Sequence, residues 1–595
     1  MTGRLASVCC AALALALLAP QGAAAHAVLE STSPARGAQL ERAPARVVFR
    51  FDESVEVAFG ALRVYDGKGE RVDRGAAEHP GGRGDEVAVA LRGGLGDGTY
   101  TATYRVISAD SHPVSGGYVF TVGRGGAPAQ SLDQLLDKGG TGTATEVGFG
   151  IVRGLSYVAL ALGIGGVAFV AAVWRPALRT VAGAGDEWRR ASEAFAGRVR
   201  ALVLGSALLG AAMSALGIAF QGAVASGTSL WQALDPTVIG DVLDTHFGTI
   251  WGLRLVVWLA VGGLVALPAA RLRAPVLRPA SLGATGLAPA RPAAPASIAA
   301  LALLLGFLCL TPALAGHAWT LDPRWLLVPA NFLHVACMCL WVGGVGVLLL
   351  ALPAATRALE GKERTWLLAA TVGRFSTIAL FAVAGLIAGG VVQAIVELDS
   401  LSDLVDTAFG RAILIKIGLL LALVGLGAWN RQRARPRLES LAQAGETPGA
   451  TGMQLRRSLR AEIALMATVL AVTAALVSYA PPTGATGPFS ASETLGPARM
   501  ALTVDPAHTG PNEIHLYLFD RRTGRQYARV KEMTVTARLP DHGIGPLPLR
   551  ARKAGPGHYV IRRADFAPAG DWHLEVAARL SAFDLYTSHA EVPIK

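Results

Sequence analysis

The chain has 595 residues, of which 52% are hydrophobic and 16% charged, and its mean hydropathy is +0.42. Hydropathy this high, with so few charges, excludes a single soluble enzyme, a disordered chain and a coiled coil. Much of the chain is therefore expected to lie in lipid. The formal net charge of +11 does not indicate nucleic-acid binding, because the basic residues are concentrated in segments between apolar runs. No nucleotide-binding loop motif is present either.

Residues 1–25 have the features of a secretory signal peptide. A short basic start, MTGR, precedes an apolar stretch, and the segment ends in small residues that include Ala23 and Ala25. Cleavage after Ala25 makes His26 the first residue of the mature protein. Its free amine and its imidazole Nδ1 can then chelate one metal ion, with nitrogen ligands of the kind that Cu(II) favours.

Residues 26–125 predict a compact all-β sandwich or barrel. The segments VVFRFDESVEV, EVAVAL, GTYTATYRVIS and GGYVFTVG alternate or are rich in β-branched and aromatic residues, and Gly, Pro and Asp separate them. Asp110 and His112 are two residues apart, so they face the same side of an extended segment.

Three motifs in this domain resemble the CopC family of periplasmic copper-binding proteins: HAVLESTSPARGAQL, VVFRFDESVE and YRVISADSHPVSGGYVFTV. The resemblance implies an Ig-like β fold in which His26, Asp110 and His112 bind Cu(II). Glu53 matches an acidic position of the family and is expected to support these ligands or to bind weakly. The domain contains no methionine, so the methionine-rich Cu(I) loop of some CopC proteins is not expected.

Residues 147–480 predict a bundle of eight transmembrane helices. Each apolar run approaches or exceeds the roughly 17–25 residues that span a bilayer. The connecting segments alternate between basic ones and ones nearly free of Lys and Arg, so the positive-inside rule places both termini outside the cytoplasmic membrane. The runs are Val147–Trp174, Ala201–Gln221, Ile250–Leu267, Ile298–Leu314, Leu326–Leu352, Phe375–Val396, Ala412–Trp429 and Ile463–Ala480.

Three histidines fall in the outer half of this bundle, namely His246, His317 and His334. Ionisable residues within a membrane are functional candidates. His334 lies about 12 Å from the outer end of its helix. Met338, four residues further on, shares its helix face, and a His–Met pair suits Cu(I). The alternatives are that His246 and His317 are interfacial and that Met338 only packs.

Four other residues of the bundle receive less weight. Arg254 and Lys416 are either functional or extend outward along apolar surface to reach water. Cys337 and Cys339 are two residues apart and point to nearly opposite sides of a helix, so we expect them to pack rather than to bind one ion.

Motifs of the bundle resemble the CopD family of copper-related membrane proteins: THFGTIWGLRL, LAGHAW, FLHVACMCLWVGG, GRFSTIALFAVAGLIAGG and FGRAILIKIGLLLALVGLGAWNR. The fusion of a CopC module to a CopD module is a known arrangement, so the two resemblances reinforce each other. Together they imply copper transport, with His334, Met338, His317 and His246 as candidates for the path through the membrane.

Residues 126–146 and 481–498 are predicted linkers, and residues 499–595 predict a second β-sandwich outside the membrane. None of the histidines in this last domain belongs to a metal-ligand motif, and we expect ordinary surface and core residues. They are His508, His515, His542, His558, His573 and His589.

The sequence thus predicts a copper-binding membrane protein that is not an enzyme. Its outer domain captures Cu(II) from donors in the cell envelope. Its bundle imports copper, with Cu(I) in the membrane, for a cytoplasmic acceptor. Alternatives left open are resistance through buffering or export, a copper-dependent oxidative enzyme that cleaves polysaccharides, and a haem-binding electron carrier that uses the intramembrane histidines.

Overall fold

The computed structural model describes residues 27–123, 143–267, 295–477 and 489–594, except for 28, 36–37, 52, 58–61, 109–112, 184, 227–230, 232–233, 399–400, 402 and 523–526. The chain divides into two compact units. One comprises Glu146–Phe220 and His246–Thr483, which include the apolar helices. The other comprises Ala24–Thr145, Gln221–Thr245 and Gly484–Lys595, which include both β domains.

The N-terminal domain is a β-sandwich, as predicted. Its two four-stranded sheets have the strand orders β1-β3-β6-β5 and β2-β8-β7-β4. Alternate residues of β3, Val47, Phe49 and Phe51, are buried, and the ring of Phe49 lies 5.3 Å from that of Tyr104 and 5.4 Å from that of Tyr118. The strands are β1 (Leu29–Ser33), β2 (Gln39–Leu40), β3 (Arg46–Phe51), β4 (Leu62–Tyr65), β5 (Asp73–Glu78), β6 (Glu86–Leu91), β7 (Gly98–Ile107) and β8 (Pro113–Val122).

The central region contains eight candidate membrane spans among the described residues, which confirms the predicted number. Short π-helical segments, Val170–Trp174 and Asn430–Ala434, join α1 to α2 and α12 to α13. The helices are α1 (Thr143–Phe169), α2 (Arg175–Val181), α3 (Asp186–Ser226), α4 (Pro236–Leu243), α5 (His246–Ala266), α6 (Pro295–Leu314), α7 (His317–Thr320), α8 (Arg324–Leu350), α9 (Leu352–Arg357), α10 (Gly361–Glu397), α11 (Asp403–Asp406), α12 (Ala408–Trp429), α13 (Arg435–Ala444) and α14 (Gly449–Leu476).

Several helices are longer than their apolar runs. Helix α3 begins at Asp186, although its apolar run begins at Ala201. Asp186 and Glu187 occupy the first turn, where negative charge favours the helix dipole, and Arg189 pairs with Asp186 at 3.1 Å. The prediction that the basic segment before Ala201 is a loop was therefore wrong. Apolar content identifies the membrane span, but charged residues extend the helix beyond it.

The C-terminal domain is also built from two sheets, with the orders β14-β15-β11-β10-β9 and β13-β12-β16-β17. Trp572 and Phe566 pack in its core with ring centroids 4.8 Å apart. The first strand begins at Phe489, within the segment predicted as a linker. The strands are β9 (Phe489–Leu495), β10 (Ala498–Asp505), β11 (Gly510–Asp520), β12 (Glu532–Leu539), β13 (Ile544–Leu549), β14 (Arg552–Gly555), β15 (His558–Phe566), β16 (Gly570–Arg579) and β17 (Leu585–Ile594).

Helices α1 and α8 touch through their backbones at a pair of glycines. A Cβ added to Gly165 would lie 2.7 Å from the Cα of Gly343, and one added to Gly343 would lie 2.8 Å from the Cα of Gly165. Non-bonded carbon atoms pack at about 3.5–4.0 Å. Only glycine therefore permits this crossing, which is a common basis for helix association in membranes.

We expect Gly343→Ala to destabilise the bundle by about 1–3 kcal/mol, because the new methyl group forces the two backbones apart. The matched control is Gly263→Ala on α5, where an added Cβ meets no atom within 4 Å. The measurement is the thermal midpoint of each detergent-solubilised variant. Equal midpoints for the two variants would show that the glycine contact does not determine the packing of α1 on α8.

Candidate functional site

One end of the N-terminal sandwich brings together four strand ends. Leu29 at the start of β1 pairs with Phe51 at the end of β3. Further along the chain, Glu56 and Ile107 exchange both backbone hydrogen bonds, at 2.8 and 3.1 Å. Ile107 ends β7 and pairs with Pro113, which starts β8. The segment that precedes β1 and the connection between β7 and β8 therefore leave the sandwich at the same end.

The predicted ligands His26, Asp110 and His112 lie outside the described residues. His26 precedes β1, and the other two belong to the β7–β8 connection. Glu53 is described. It is partly buried and follows β3 by two residues, at the same end of the domain.

This end of the sandwich also contacts a segment from the centre of the chain. Ile107 and Ala225 are both buried, at 3% exposure each, and pack together. Ala225 lies in the last turn of α3. Both residues belong to the same compact unit, which includes the segment Gln221–Thr245 as well as the sandwich.

His334 lies in the interface between α8 and α10. Its Nδ1 is 2.8 Å from the carbonyl oxygen of Leu386. Gly389 and Gly390 leave room for the ring, since a Cβ on Gly390 would come within 3.2 Å of the His334 Cε1 and Nδ1. An imidazole that donates from Nδ1 to a carbonyl keeps its lone pair on Nε2, which is the tautomer that many metal-binding histidines adopt.

An amide pair, which the sequence reasoning missed, extends this polar interface. Asn331 Nδ2 donates to Gln393 Oε1 at 2.7 Å, and Gln393 Nε2 donates to the Gly389 carbonyl at 3.0 Å. Asn331 lies one turn before His334 on the same helix face, so this spacing in the sequence could have indicated that Asn331 belongs to the polar interface. No spacing in the sequence indicates Gln393, because its partner lies on another helix.

The other predicted members of the membrane path lie apart from this interface or only pack. His246 Nε2 contacts the Leu314 carbonyl at 2.9 Å, and its ring stacks on Trp319 at 5.9 Å. His317 starts the short helix α7, on which Trp319 lies. Met338 is buried in the apolar core of the bundle. Among the described residues, no group of three or more His, Cys, Asp or Glu side chains is arranged to hold a metal ion.

The remaining candidates are buried to different extents. Arg254 is only 4% exposed, and its guanidinium lies 5.0 Å from the centre of the Trp251 ring, so it does not extend outward to water. Lys416 is partly buried on α12. Cys337 and Cys339 are free thiols buried in the core of the bundle, in line with the packing role expected for them.

Three family models match separate parts of the chain. The CopC domain matches residues 29–123, which form the N-terminal sandwich. The N-terminal domain of copper resistance protein D-like proteins matches residues 144–290, and copper resistance protein D matches residues 369–476. The last two matches cover the first and last parts of the helical region.

Curated relatives match the chain over most or part of its length. The chain is 29% identical to the copper transport protein CutJ of Bacillus subtilis over 524 residues, which are 87% of this chain and 86% of the relative. It is 34% identical to protein YobA of Escherichia coli over 98 residues, which are 16% of this chain and 79% of the relative.

The helical region has its own relative. Copper resistance protein D of Pseudomonas syringae is 27% identical over 286 residues, which are 47% of this chain and 84% of the relative. With a CopC domain and both CopD regions in one polypeptide, the chain belongs to the family of CopC–CopD fusion proteins.

Proposed function

We propose that this protein captures Cu(II) at its N-terminal domain and imports copper across the cytoplasmic membrane through its helical bundle. The main support is the meeting of the β1 start, the end of β3 and the β7–β8 connection at one end of the sandwich. The proposed ligands His26, Asp110 and His112 belong to the segments that adjoin these strand ends, and we infer that they form a common site. The amine and two imidazoles would bind Cu(II), the carboxylate of Asp110 would complete the site, and Glu53 would support it.

The presence of the CopC and CopD matches in one polypeptide supports delivery from this site to the bundle. With both parts in one chain, transfer would need no separate carrier. Within the bundle, His334 is the strongest candidate for a copper station, because its bond to Leu386 leaves Nε2 as the metal-binding nitrogen. His246, His317 and Met338 are weaker candidates for the path.

The distribution of charge supports an orientation with both β domains outside the cytoplasm. Basic residues are concentrated where α3 begins, where α12 continues into α13, and where α14 begins. Under the positive-inside rule these helix ends face the cytoplasm. The capture domain then faces the cell envelope, where a copper donor can reach it, and a cytoplasmic acceptor receives the metal.

His112→Ala should weaken Cu(II) binding to the purified protein by more than about 100-fold, because loss of a ligand exceeds the 10–100-fold cost of losing a supporting group. Competition with a chelator of known affinity measures this change. The matched control is His79→Ala in the same domain, whose Nδ1 contacts the Glu86 carbonyl at 2.8 Å. An equal loss in the control would contradict the assignment of His112 as a ligand.

Adding one alanine before His26 in the mature protein should also weaken Cu(II) binding, because it moves the free amine away from the imidazole while keeping every side chain. Electron paramagnetic resonance should then show one fewer nitrogen ligand. Mass spectrometry of the native N-terminus is the control for the cleavage position. An unchanged spectrum would exclude the terminal amine as a ligand.

Cells that produce the intact protein should accumulate more copper than cells without it, and His112→Ala and His334→Ala should each reduce the uptake rate by about tenfold or more. Phe332→Ala is the control on α8, since its side chain is 38% exposed on the outside of the bundle. Cell copper measured by mass spectrometry at equal protein abundance gives the result. A fall in cell copper would indicate export, and no change would indicate extracytoplasmic buffering.

A further inference from the structure

Polar side chains of the C-terminal domain lie buried on the face of a sheet that is turned away from its apolar core. In β11, Ile514 and Leu516 point into that core. Glu513, His515 and Tyr517 alternate with them and therefore point to the other face. All three are nevertheless at most 2% exposed.

The neighbouring strand brings a second histidine to this face. In the register of β11 with β15, His515 lies opposite Val560 and Tyr517 lies opposite His558. His558 is also fully buried. Two histidines that are far apart in the sequence therefore meet on one sheet face, which no local motif indicates.

The contacts within this group are specific. His515 Nδ1 lies 3.2 Å from His558 Nε2, and His515 Nε2 lies 3.4 Å from Glu513 Oε1. The Tyr517 ring stacks on the His558 ring at 4.3 Å, with 1° between the ring planes. The carboxylate orients one imidazole, and the phenol ring holds the other.

The state of His558 suits a ligand. Burial and the neighbouring His515 hold the pKa of His558 well below its ordinary value. The ring is therefore neutral near neutral pH, and a neutral imidazole has a lone pair for a metal ion.

We propose that His515 Nδ1 and His558 Nε2 form a second transition-metal site, and that Cu(II) is the divalent ion it binds most tightly. Two nitrogens that each lie about 2.0–2.1 Å from one metal ion are separated by about 3 Å at a right angle and somewhat more at a tetrahedral one. The observed 3.2 Å falls in this range. Among first-row divalent ions, Cu(II) binds such imidazole sites most tightly.

Binding at this site needs one internal proton shift. In the metal-free domain one of the two facing nitrogens carries the hydrogen that both share. When the metal takes both lone pairs, that hydrogen moves to the outer nitrogen of its ring. On His515 the outer nitrogen is Nε2, where Glu513 Oε1 accepts the N–H bond, as carboxylates commonly do behind metal-bound histidines. This shift releases no proton.

This site goes beyond the proposed function, because it lies in the C-terminal domain rather than at the capture site. The two would give the protein separate Cu(II) sites on its two β domains. The second site has two imidazole ligands, with Glu513 as the group that orients one of them, so it differs from a cluster of three ligands.

The test uses the full-length protein in detergent, with Cu(II) alone as the probe. In the His112→Ala background, which weakens the capture site and leaves it one imidazole, we expect one bound Cu(II) per chain with two imidazole ligands in its paramagnetic resonance spectrum. Adding His558→Gln should abolish it. Adding Glu513→Gln should weaken it by about 10–100-fold. The matched control is His573→Ala, which removes a surface histidine 3.9 Å from Glu591 in the same domain and should change nothing.

Each outcome separates the two proposals. No Cu(II) on the His112→Ala protein would overturn the second site and leave the capture site intact. Unchanged binding in His112→Ala that disappears with His558→Gln would support the second site and contradict the capture site. Hydrogen exchange of the β11 and β15 peptides tests whether His558→Gln still folds. If it does not fold, the His112→Ala protein decides by the presence or absence of Cu(II) with two imidazole ligands, because its capture site retains only one imidazole.

Discussion

The lipid bilayer imposes the constraint on which the rest of this structure depends. Within it, each polar group must find its partner inside the protein. Among the described residues, eight candidate spans satisfy their backbone groups as helices, and some of their polar side chains pair between helices. His334 against the Leu386 carbonyl and Asn331 against Gln393 show how α8 and α10 meet this demand. A side chain fixed in this way has one position and one hydrogen-bonding state, and both properties suit a residue that binds a metal ion.

The β domains obey a different rule, because water surrounds them and only their cores must be apolar. Their strands can therefore end in polar residues that face a ligand. In the N-terminal sandwich four strand ends meet at one edge, and the helix end at Ala225 packs there. In the C-terminal sandwich the polar groups lie on a buried sheet face instead. The same sandwich architecture therefore places polar side chains at the strand ends of one domain and on a buried sheet face of the other.

Much of this could be predicted from the sequence, because the signals were local. Apolar runs of sufficient length predicted the eight spans, and alternation predicted both β domains. Helix ends could not be read in the same way, since Asp186 and its neighbours continue α3 with charged residues. Long-range pairs were also beyond reach. Gln393 meets Asn331, and His558 meets His515, only because a helix interface or a strand register places them together.

The glycine crossing of α1 and α8 has a mechanical consequence. Backbones in direct contact at Gly165 and Gly343 leave no side chains that could slide past one another or change rotamer. Helix α10 meets α8 in the same way, since a Cβ added to Gly389 would lie 2.6 Å from the carbonyl oxygen of Ala330. Helix α8 is therefore in backbone contact with a neighbour on two sides, and α1, α8 and α10 form a rigid layer. Rearrangement of the bundle then falls to helices outside this layer, while His334 keeps a fixed position within it.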